Sequence, residues 1–373
     1  MMMKRLYGIL LLRIFLFCIP VCAHCFTLFA EQGAEKQAEQ KRGKFFIFPF
    51  MFYTPETAAG GGVAFNYSYW IWQKGLPGPP STLNLVFMLT GRRQFNCELK
   101  ADNAWKNYTL YSSVDLRIGK STESFYGIGN NTFEGDEEQY THSSVVVSPT
   151  LQWRVFPHFF TGAGYEFEYS VNSDLEDGGL LQSGEVPGSS GGVYSGVGFM
   201  ATCDTTNSRF FPRRGGRYFF SSWFYHSIIG SDNDFSRYTF DARRYVSLFS
   251  EHVLAMQIRY TAMSGDVPFD MLSLLGGRSL MRGYFLGRYR DRNMLVFQTE
   301  YRMPLLWRVG AVGFFSAGDV APRGKNFELD ELKYSAGAGL RVMMNAQEKI
   351  NLRIDFAFGK DSRGVYVTLF EAF

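Results

Sequence analysis

Apolar and polar residues alternate strictly along many short segments of this chain. In residues 349–359 an apolar row alternates with a polar row: Ile350, Leu352, Ile354, Phe356 and Phe358 against Asn351, Arg353 and Asp355. Because successive side chains of a β-strand point to opposite faces, this alternation predicts strands with one apolar and one charged face. A water-soluble sandwich and a membrane barrel both use such strands, so alternation alone leaves two fold classes open.

The number of these segments separates the two classes. Sixteen of them follow one another, each long enough to cross a bilayer as a tilted strand of about 9–11 residues. They are residues 45–54, 60–73, 82–91, 94–105, 107–118, 139–155, 158–171, 191–203, 215–228, 236–248, 253–264, 293–303, 307–318, 334–345, 349–359 and 364–373. Closing an even number of strands leaves no edge facing lipid. The sequence therefore predicts an all-β fold, a 16-stranded antiparallel transmembrane β-barrel.

Composition and charge agree with that fold. The 373 residues include 37 Phe and 21 Tyr, and aromatic residues make up 17 % of the chain although the mean hydropathy is only -0.12. A lipid-facing surface with aromatic girdles has such a composition. The formal net charge is +3, and it becomes 0 if Lys4, Arg5 and Arg13 leave with a signal segment. A neutral chain without a basic stripe argues against nucleic acid as a partner.

The first residues have the pattern of an export signal. Two basic residues precede a largely apolar run over residues 6–22, and small or compact residues follow it. This pattern predicts a signal peptide over residues 1–23, with cleavage after Ala23 or after Ala30. Arg13 interrupts the run and disfavours a retained membrane anchor. We therefore expect an exported protein.

The connections predict a direction for the barrel. Residues 24–44 are polar and low in complexity, and we expect them to form a short periplasmic tail before a barrel domain over residues 45–373. With a periplasmic amino terminus, the connections after odd-numbered strands are surface loops, and they include the long ones: 119–138, 172–190, 265–292 and 319–333. Long outer loops and short inner turns are typical of outer-membrane barrels.

The stretch over residues 276–304 departs from this simple pattern of strands and turns. It begins with paired glycines, continues through Arg282, Gly283 and Tyr284, and then carries Arg288, Arg290 and Arg292 before the alternation resumes. Because unpaired cations gain nothing from an ordered surface loop, we expect this loop, between strands 11 and 12, to fold inward until Arg282 meets a carboxylate. Glu300 lies in the row predicted to face the lumen. The alternative is a solvated surface arginine.

These residues also resemble a known family. The order GG, RGY, RYRD and EYR-Pro in residues 276–304 is similar to the sixth surface loop and twelfth strand of the BamA/TamA superfamily of outer-membrane barrels, also called bacterial surface antigens. The resemblance implies that Arg282 pairs with acids on two neighbouring inner strands. Glu300 matches the first acid, whereas Ser316 stands where the family has the second, which implies a weaker lock. The predicted luminal lock comprises Arg282, Gly283, Tyr284, Glu300 and Ser316.

The last residues carry a further resemblance. Residues 364–373 end in phenylalanine after alternating apolar residues, similar to the signal by which the barrel assembly machinery recognises a last strand. This implies Tyr366, Phe370 and Phe373 as an assembly signal, with that machinery and outer-membrane lipid as partners. The alternative is a last strand that merely ends on an aromatic residue.

The predicted tail over residues 24–44 is too short for the periplasmic domain that the resemblance implies. Members of the family that assemble or translocate proteins carry periplasmic POTRA domains before the barrel. Residues 24–44 leave no room for such a domain, which is at least about 50 residues long. If the function needs one, a separate periplasmic partner protein has to supply it.

Candidate catalytic and metal-binding residues are scattered. Four histidines form no HExxH motif or paired metal spacing, and no GxSxG surrounds a serine, so we expect no enzyme activity, no metal and no cofactor: His142, His158, His226 and His252. Cys25 lies at the edge of the predicted signal, and Cys97 and Cys203 lie in predicted strands. They form one disulfide, for which their spacing gives no support, or they are two small apolar side chains on strands.

Three functions remain in view. The first is insertion or translocation of protein or lipid at the outer membrane, by a barrel with a labile seam between its first and last strands and a plug at Arg282. The second is a passive diffusion channel, which needs an open lumen and so conflicts with an inward loop. The third is an outer-membrane lipid hydrolase, which needs a serine and a histidine on one rim.

Overall fold

The computed structural model describes residues 44–69, 71, 81–105, 108–208, 210–249, 251–345 and 350–373. The predicted signal peptide, both predicted cleavage positions and the predicted tail up to residue 43 lie outside the described residues. No helix in the described part of the chain has the length and apolar character needed to cross a membrane.

Sixteen antiparallel strands close into a barrel, which confirms the predicted fold class. They are β1 (Lys44–Thr54), β2 (Ala58–Tyr69), β3 (Ser81–Thr90), β4 (Phe95–Trp105), β5 (Leu110–Phe125), β6 (Glu138–Phe156), β7 (Phe159–Ser173), β8 (Val193–Asp204), β9 (Gly215–Tyr225), β10 (Phe235–Ser247), β11 (Val253–Gly265), β14 (Asn293–Leu306), β15 (Val309–Ala321), β16 (Lys333–Asn345), β17 (Ile350–Gly359) and β18 (Ser362–Leu369). Between β11 and β14, a separate hairpin consists of β12 (Ser273–Leu275) and β13 (Tyr289–Asp291). Each barrel strand pairs with the next one along the chain, and β1 pairs with β18 to close the ring.

The described helical turns all lie in connections at one end of the barrel. One is a single α-helical turn, α1 (Leu180–Ser183), and the others are 3₁₀ turns: Glu134–Asp136, Ser227–Ile229, Phe269–Met271 and Gly324–Asn326. We call this the long-loop end. The opposite end carries two-residue connections at 157–158 and 307–308, a longer one at 205–214, and both Lys44 and Phe373, and we call it the short-turn end. This is the asymmetry that the connection lengths predicted.

Two predicted strand boundaries are wrong for physical reasons. β5 continues to Phe125 instead of ending at residue 118, and it stays paired with β6 up to Glu138. Its polar residues there interrupt the apolar alternation, but the backbone ladder does not depend on side-chain polarity. The last strand ends at Leu369 instead of residue 373, because Phe370 has a left-handed φ of 67° that cannot continue a strand.

The two faces of the strands are the ones that alternation predicted. On β17, the outward Phe356 is 49 % exposed whereas Asp355 is completely buried in the lumen. Outward apolar side chains recur around the ring: Val63, Phe87, Val197, Phe220, Ile258, Phe297 and Phe315. At the short-turn end, exposed aromatic residues include Trp153, Phe156, Phe249 and Trp307. An apolar band with an aromatic girdle suits contact with lipid.

Apolar loop residues fill the lumen beside β5 to β11. Phe269 and Met271, from the connection after β11, belong to a large buried cluster that also includes Phe125, Tyr140, Leu181, Trp223 and Tyr225. Between them, the carboxylate of Asp270 accepts hydrogen bonds from Ser170 Oγ at 2.8 Å and Tyr194 Oη at 2.9 Å. Burial raises the pKa of Asp270 above its ordinary value. The packed cluster therefore fills the lumen at the long-loop end of these strands.

The seam between β1 and β18 is the least paired contact between barrel strands. The two strands pair at one position, Tyr53 with Val367. In contrast, β1 pairs with β2 along its whole length, and β17 pairs with β18 from Leu352–Leu369 to Gly359–Ser362. Much of the second edge of β1 therefore lacks a strand partner within the described barrel.

The assignment of the outer face can be tested on β14. We expect Phe297→Arg to destabilise the folded barrel in phospholipid vesicles by about 2–4 kcal/mol, because a guanidinium near the middle of the strand would enter hydrocarbon. Phe297→Leu keeps the position apolar and should cost much less. The measurement is the free energy of unfolding in denaturant. Equal costs for the two variants would show that this face does not contact lipid.

Candidate functional site

The connection between β11 and β14 folds back into the lumen. After β12 the chain runs inward, turns and returns to β13, and we call residues 276–288 the luminal loop. Two backbone hydrogen bonds hold its stem: Gly277 N donates to Tyr284 O at 2.9 Å and Gly287 N donates to Leu275 O at 3.1 Å. An apolar cluster packs the loop against β14 and β15: Leu275, Met281, Tyr284, Met294, Val296 and Val320.

Gly283 is required at the tip of this loop for two reasons. Its φ is +109°, and a Cβ there would lie 2.9 Å from Gly359 N and 3.0 Å from Phe358 C. The close approach allows Gly283 N to donate to Tyr366 Oη at 3.0 Å and Gly283 O to accept from Ser362 Oγ at 2.6 Å. The loop backbone is thus bonded to β18.

Tyr284 fastens the loop to the next strands. Its hydroxyl donates to Tyr334 O at 3.0 Å and accepts from Lys360 N at 2.9 Å. Burial raises the pKa of Tyr284 above its ordinary value, so the phenol remains protonated and able to donate. Tyr284 therefore satisfies two backbone groups where β16 begins and β17 ends.

Arg282 lies at the centre of the site and is completely buried. Its Nη2 donates to Glu300 Oε2 at 2.8 Å and its Nη1 donates to Asp355 Oδ2 at 2.6 Å. The guanidinium lies 3.6 Å from the centre of the Phe314 ring, a cation–π contact. One loop cation thus joins β14 to β17 across β15 and β16.

Three further arginines surround the same carboxylates. Arg341 Nη1 donates to Asp355 Oδ1 at 2.6 Å, and its Nη2 lies 3.5 Å from Glu300 Oε2. Arg302 Nε donates to Glu300 Oε1 at 2.7 Å, and Arg353 Nε lies 3.3 Å from Asp355 Oδ2. Glu300 and Asp355 are therefore both shared between the loop arginine and arginines of the wall.

The residues after β18 join this charge cluster. Glu371 Oε2 accepts from Arg341 Nε at 2.8 Å, and Phe373 O accepts from Arg302 Nη2 at 3.0 Å. The Phe373 ring packs in the lumen against Tyr245, Val253 and Ala255. We call residues 370–373 the C-terminal segment.

The buried charges of this cluster depend on one another for neutralisation. Its four arginines and three carboxylates are almost inaccessible to solvent: Arg282, Arg302, Arg341 and Arg353 with Glu300, Asp355 and Glu371. Buried charges recover their lost hydration only through close opposite charges, and removing one partner typically costs about 3–5 kcal/mol. The position of the luminal loop therefore depends on the charges of the wall strands. The wall charges depend equally on Arg282 of the loop.

The structure places the residues of the predicted luminal lock in different contacts. The structure brings Arg282 and Glu300 together as predicted, but Ser316 is not the second partner. Ser316 lies opposite Gln298 in the strand register, and its Oγ is 3.5 Å from Gln298 Oε1. The position opposite Glu300 belongs to Phe314. The second acid is Asp355 of β17, so Arg282 meets two carboxylates rather than a carboxylate and a hydroxyl.

The residues that the sequence analysis missed are Asp355, Arg302, Arg341, Arg353 and Glu371. Alternation had placed Asp355 and Arg353 on a luminal row, but no pattern in the sequence gives their depth relative to Glu300. That depth depends on the register of β14 to β17.

The predicted assembly-signal residues lie in three different environments. Tyr366 is fully buried in the lumen and bonds to the luminal loop. Phe370 is 40 % exposed and stacks on Phe210 with ring centroids 5.2 Å apart. Phe373 is buried in the charge cluster region rather than on the lipid face. An assembly signal acts on the chain before it folds, and the folded structure does not test it. The role of these three residues in assembly therefore stays a prediction.

The connection between β11 and β14 also contacts parts of the barrel beyond β18. Leu286 N donates to Glu56 Oε1 at 3.0 Å, in the turn between β1 and β2. Across the lumen, Arg288 Nη1 of the loop donates to Thr132 Oγ1 at 2.8 Å, and Arg290 Nη2 of β13 donates to Ser124 O of β5 at 2.9 Å. The connection therefore crosses the lumen at the long-loop end.

The site contains no recognisable catalytic or metal-binding set within the described residues. No group of three or more His, Cys, Asp or Glu side chains among them is arranged to hold a metal ion. Cys97 and Cys203 are free thiols on β4 and β8, so the disulfide alternative is wrong for this structure. The site is a network of ion pairs that fixes the luminal loop in the barrel.

The importance of Arg282 can be measured directly. We expect Arg282→Ala to lower the yield of folded barrel or to expose the luminal loop to trypsin, because Glu300 and Asp355 lose a buried partner worth about 3–5 kcal/mol. Ser316→Ala is the matched control, since its hydroxyl makes only a long contact, and it should change little. Unchanged folding and unchanged protection of the loop in Arg282→Ala would contradict the lock.

The close approach at Gly283 gives an independent test. Gly283→Ala should expose the loop to protease, because its Cβ would clash with the backbone of β17. Gly230→Ala carries the strain of a positive φ, 92°, but has no atom within 4 Å of the added Cβ, and it should leave the loop protected. Equal protease sensitivity of the two variants would mean that strain alone, not docking, explains the glycine.

Comparisons with known proteins agree with this geometry. Residues 105–367 match the Omp85 superfamily domain. No curated protein matches the sequence. Among solved structures, BamA from Haemophilus ducreyi lacking POTRA domains 1–3 has a TM-score of 0.62 at 15 % identity, covering 89 % of this chain and 70 % of that chain. CdiB from Acinetobacter baumannii has a TM-score of 0.55 at 12 % identity, covering 89 % of this chain and 60 % of that chain.

The structural matches show the same barrel fold, and the domain match covers more than half of the chain. They confirm the family resemblance found in residues 276–304. The chain belongs to the Omp85 superfamily and forms an outer-membrane β-barrel similar to those of BamA and CdiB.

Proposed function

We propose that this protein inserts or translocates protein or lipid at the outer membrane. The observation that carries the proposal is the seam, where β1 and β18 pair only at Tyr53 and Val367. Membership of the Omp85 superfamily supports it, since members of this family assemble or translocate proteins. The luminal loop supports it too. A barrel whose lumen is occupied by a loop is better suited to inserting a client at the opened wall than to passing solutes through the lumen.

Opening the barrel at the seam breaks fewer bonds than opening it elsewhere. The β5–β6 ladder, for comparison, runs from Leu110 with Trp153 to Phe125 with Glu138. A backbone group left unpaired in hydrocarbon costs several kcal/mol. An incoming strand that pairs with the free edge of β1 gains that energy by strand addition. The seam therefore offers a template for a client strand.

The C-terminal segment supports the same proposal. Its turn at Phe370 takes the chain away from β1 and into the lumen, where Arg302 and Arg341 hold it. Arg341 also contacts the two carboxylates that bind Arg282. The loop that closes the lumen and the segment that leaves the seam thus share one set of partners.

A passive diffusion channel fits less well. Such a channel needs a continuous aqueous path, whereas the connection that carries the luminal loop contacts β14, β16, β17 and β18 on one side and β5 and the β5–β6 connection on the other. The apolar cluster beside β5 to β11 occupies more of the lumen.

A lipid hydrolase is also less well supported. At the rim, Ser227 Oγ lies 3.5 Å from His226 Nδ1, and His226 Nε2 lies 3.5 Å from Asp234 Oδ2. However, His226 Nδ1 already accepts the backbone N–H of Ile228 at 3.1 Å and caps a 3₁₀ turn. A nitrogen occupied in this way is poorly placed to remove a proton from the serine. We infer that the protein is not an enzyme.

Locking the seam tests the proposal. In a background with Cys25, Cys97 and Cys203 changed to Ser, Tyr53→Cys with Val367→Cys places two thiols at the paired seam position. After oxidation, we expect insertion of an unfolded eight-stranded barrel into proteoliposomes, or transfer of a fluorescent phospholipid, to fall to the level of protein-free liposomes. Reduction should restore it.

The control is a second outward-facing pair on a full ladder, Val63→Cys with Phe87→Cys on β2 and β3. Oxidation there should leave the activity unchanged. If the locked seam remains as active as the reduced form, or if the reduced protein promotes neither insertion nor lipid transfer, the proposal is wrong.

Conductance distinguishes the passive channel. In planar bilayers, the intact protein should show low conductance, and a variant with residues 277–286 replaced by a short Gly-Ser linker should conduct more, because the loop no longer crosses the lumen. A matched replacement of residues 227–230 on the rim should not raise conductance. A steady large conductance of the intact protein would favour the diffusion channel.

A further inference from the structure

A second charged site lies on the luminal wall of β9, β10 and β11, separate from the cluster around Arg282. It is a cavity of about 200 Å³ whose lining is mostly basic and polar: Arg217, Phe219, Thr239, Asp241, Arg243 and Arg259. Every one of these residues belongs to the luminal row of its strand, as do the buried Trp223, Tyr245 and Gln257. The function proposed above does not use this site.

The strand register concentrates positive charge at this place. Arg217 lies directly opposite Arg243, and Asp241 lies between Phe219 on one side and Arg259 on the other. Like charges directly opposite each other in a sheet are destabilising. Three guanidinium groups thus line one cavity with a single carboxylate.

That carboxylate is already occupied. Asp241 accepts from Arg243 Nε at 2.8 Å and from Gln257 Nε2 at 2.7 Å. Arg259 Nη1 lies 3.7 Å from Asp241 Oδ2, too far for a hydrogen bond, and the buried Arg259 Nε has no partner among the described residues. The carboxylate that pairs with Arg217 is Asp204, at 4.0 Å. Arg217 and Arg259 therefore keep most of their donors available.

Several other luminal arginines have a carboxylate within hydrogen-bond distance. Arg237, on the same row of β10, donates to Glu166 at 2.8 Å and lies over the Tyr225 ring. Arg282, Arg302 and Arg341 have carboxylates at 2.6–2.8 Å. The three arginines of the cavity, in contrast, share the one carboxylate of its lining, Asp241.

We propose that the cavity between Arg217, Arg243 and Arg259 binds a phosphate group. Guanidinium forks match the tetrahedral oxygens of phosphate with paired, charge-assisted hydrogen bonds, and the Thr239 hydroxyl adds a donor. The side chains of Arg217 and Arg259 are 48 % and 37 % exposed, so a ligand reaches them from the lumen. The cavity volume is several times the roughly 30 Å³ of one water molecule, enough for a phosphate group.

Free phosphate and the headgroup of a phospholipid present the same chemistry. The test is titration calorimetry on the intact barrel in non-ionic detergent at constant ionic strength. The probes are inorganic phosphate and short-chain phosphatidic acid, with chloride as the reference anion. Tighter binding of phosphatidic acid identifies a lipid headgroup as the source, and equal or tighter binding of inorganic phosphate identifies the free ion.

Two variants and a control test whether the arginines of the cavity bind the phosphate. We expect Arg259→Gln and Arg217→Gln each to weaken binding of both probes about tenfold or more, as the loss of charge-assisted hydrogen bonds predicts. Arg117→Gln removes another luminal arginine, 45 % exposed and 3.6 Å from Asp115, outside the cavity, and should leave binding unchanged. Heat-modifiable mobility on gels verifies that each variant is folded.

Two outcomes would contradict the proposed phosphate site. If the wild-type barrel binds phosphate no more tightly than chloride, there is no phosphate site. If Arg259→Gln and Arg217→Gln bind as the wild type does, or if Arg117→Gln loses as much affinity as they do, the cavity does not hold the ligand. Because no seam or insertion activity enters the measurement, its outcome is independent of the function proposed above.

Discussion

A guanidinium enclosed within a protein has to be neutralised, and in this barrel that requirement falls on Arg282. The luminal loop can stay inside only while Glu300 and Asp355 accept its two nitrogens. Those carboxylates stand on strands that are not neighbours, so the contact also fixes how β14 to β17 are positioned relative to one another. A single loop residue thereby sets both the closure of the lumen and the arrangement of its wall.

The same network extends to the last residues of the chain. Arg341 binds Asp355 and Glu371, and Arg302 binds Glu300 and the backbone oxygen of Phe373. The C-terminal segment is held inside by these contacts instead of extending β18 along β1. The interactions that close the lumen therefore coincide with an incompletely paired seam, which is the feature on which the proposed insertion or translocation depends.

Much of this fold was predictable from local patterns. The strand number, the outer and inner faces, the inward loop and the contact between Arg282 and Glu300 follow from alternation and from one family motif. The site was predictable only in part. Ser316 was assigned to the lock from its place in a motif, but the strand register puts Phe314 opposite Glu300, and Asp355 of β17 supplies the second carboxylate. The end of β18 was missed because the left-handed φ of Phe370 leaves no mark in an apolar alternation.

The sequence by itself determined which side chains face lipid and which face the lumen, because a period of two depends only on the backbone of each strand. Only the tertiary structure decided which luminal charges meet. Depth along the barrel is set by the registers of successive strands, and small differences in register bring residues distant in sequence, such as Arg282, Asp355 and Glu371, into contact or keep them apart. For the same reason, the excess of arginine beside Asp241 becomes visible only when β9, β10 and β11 are placed side by side.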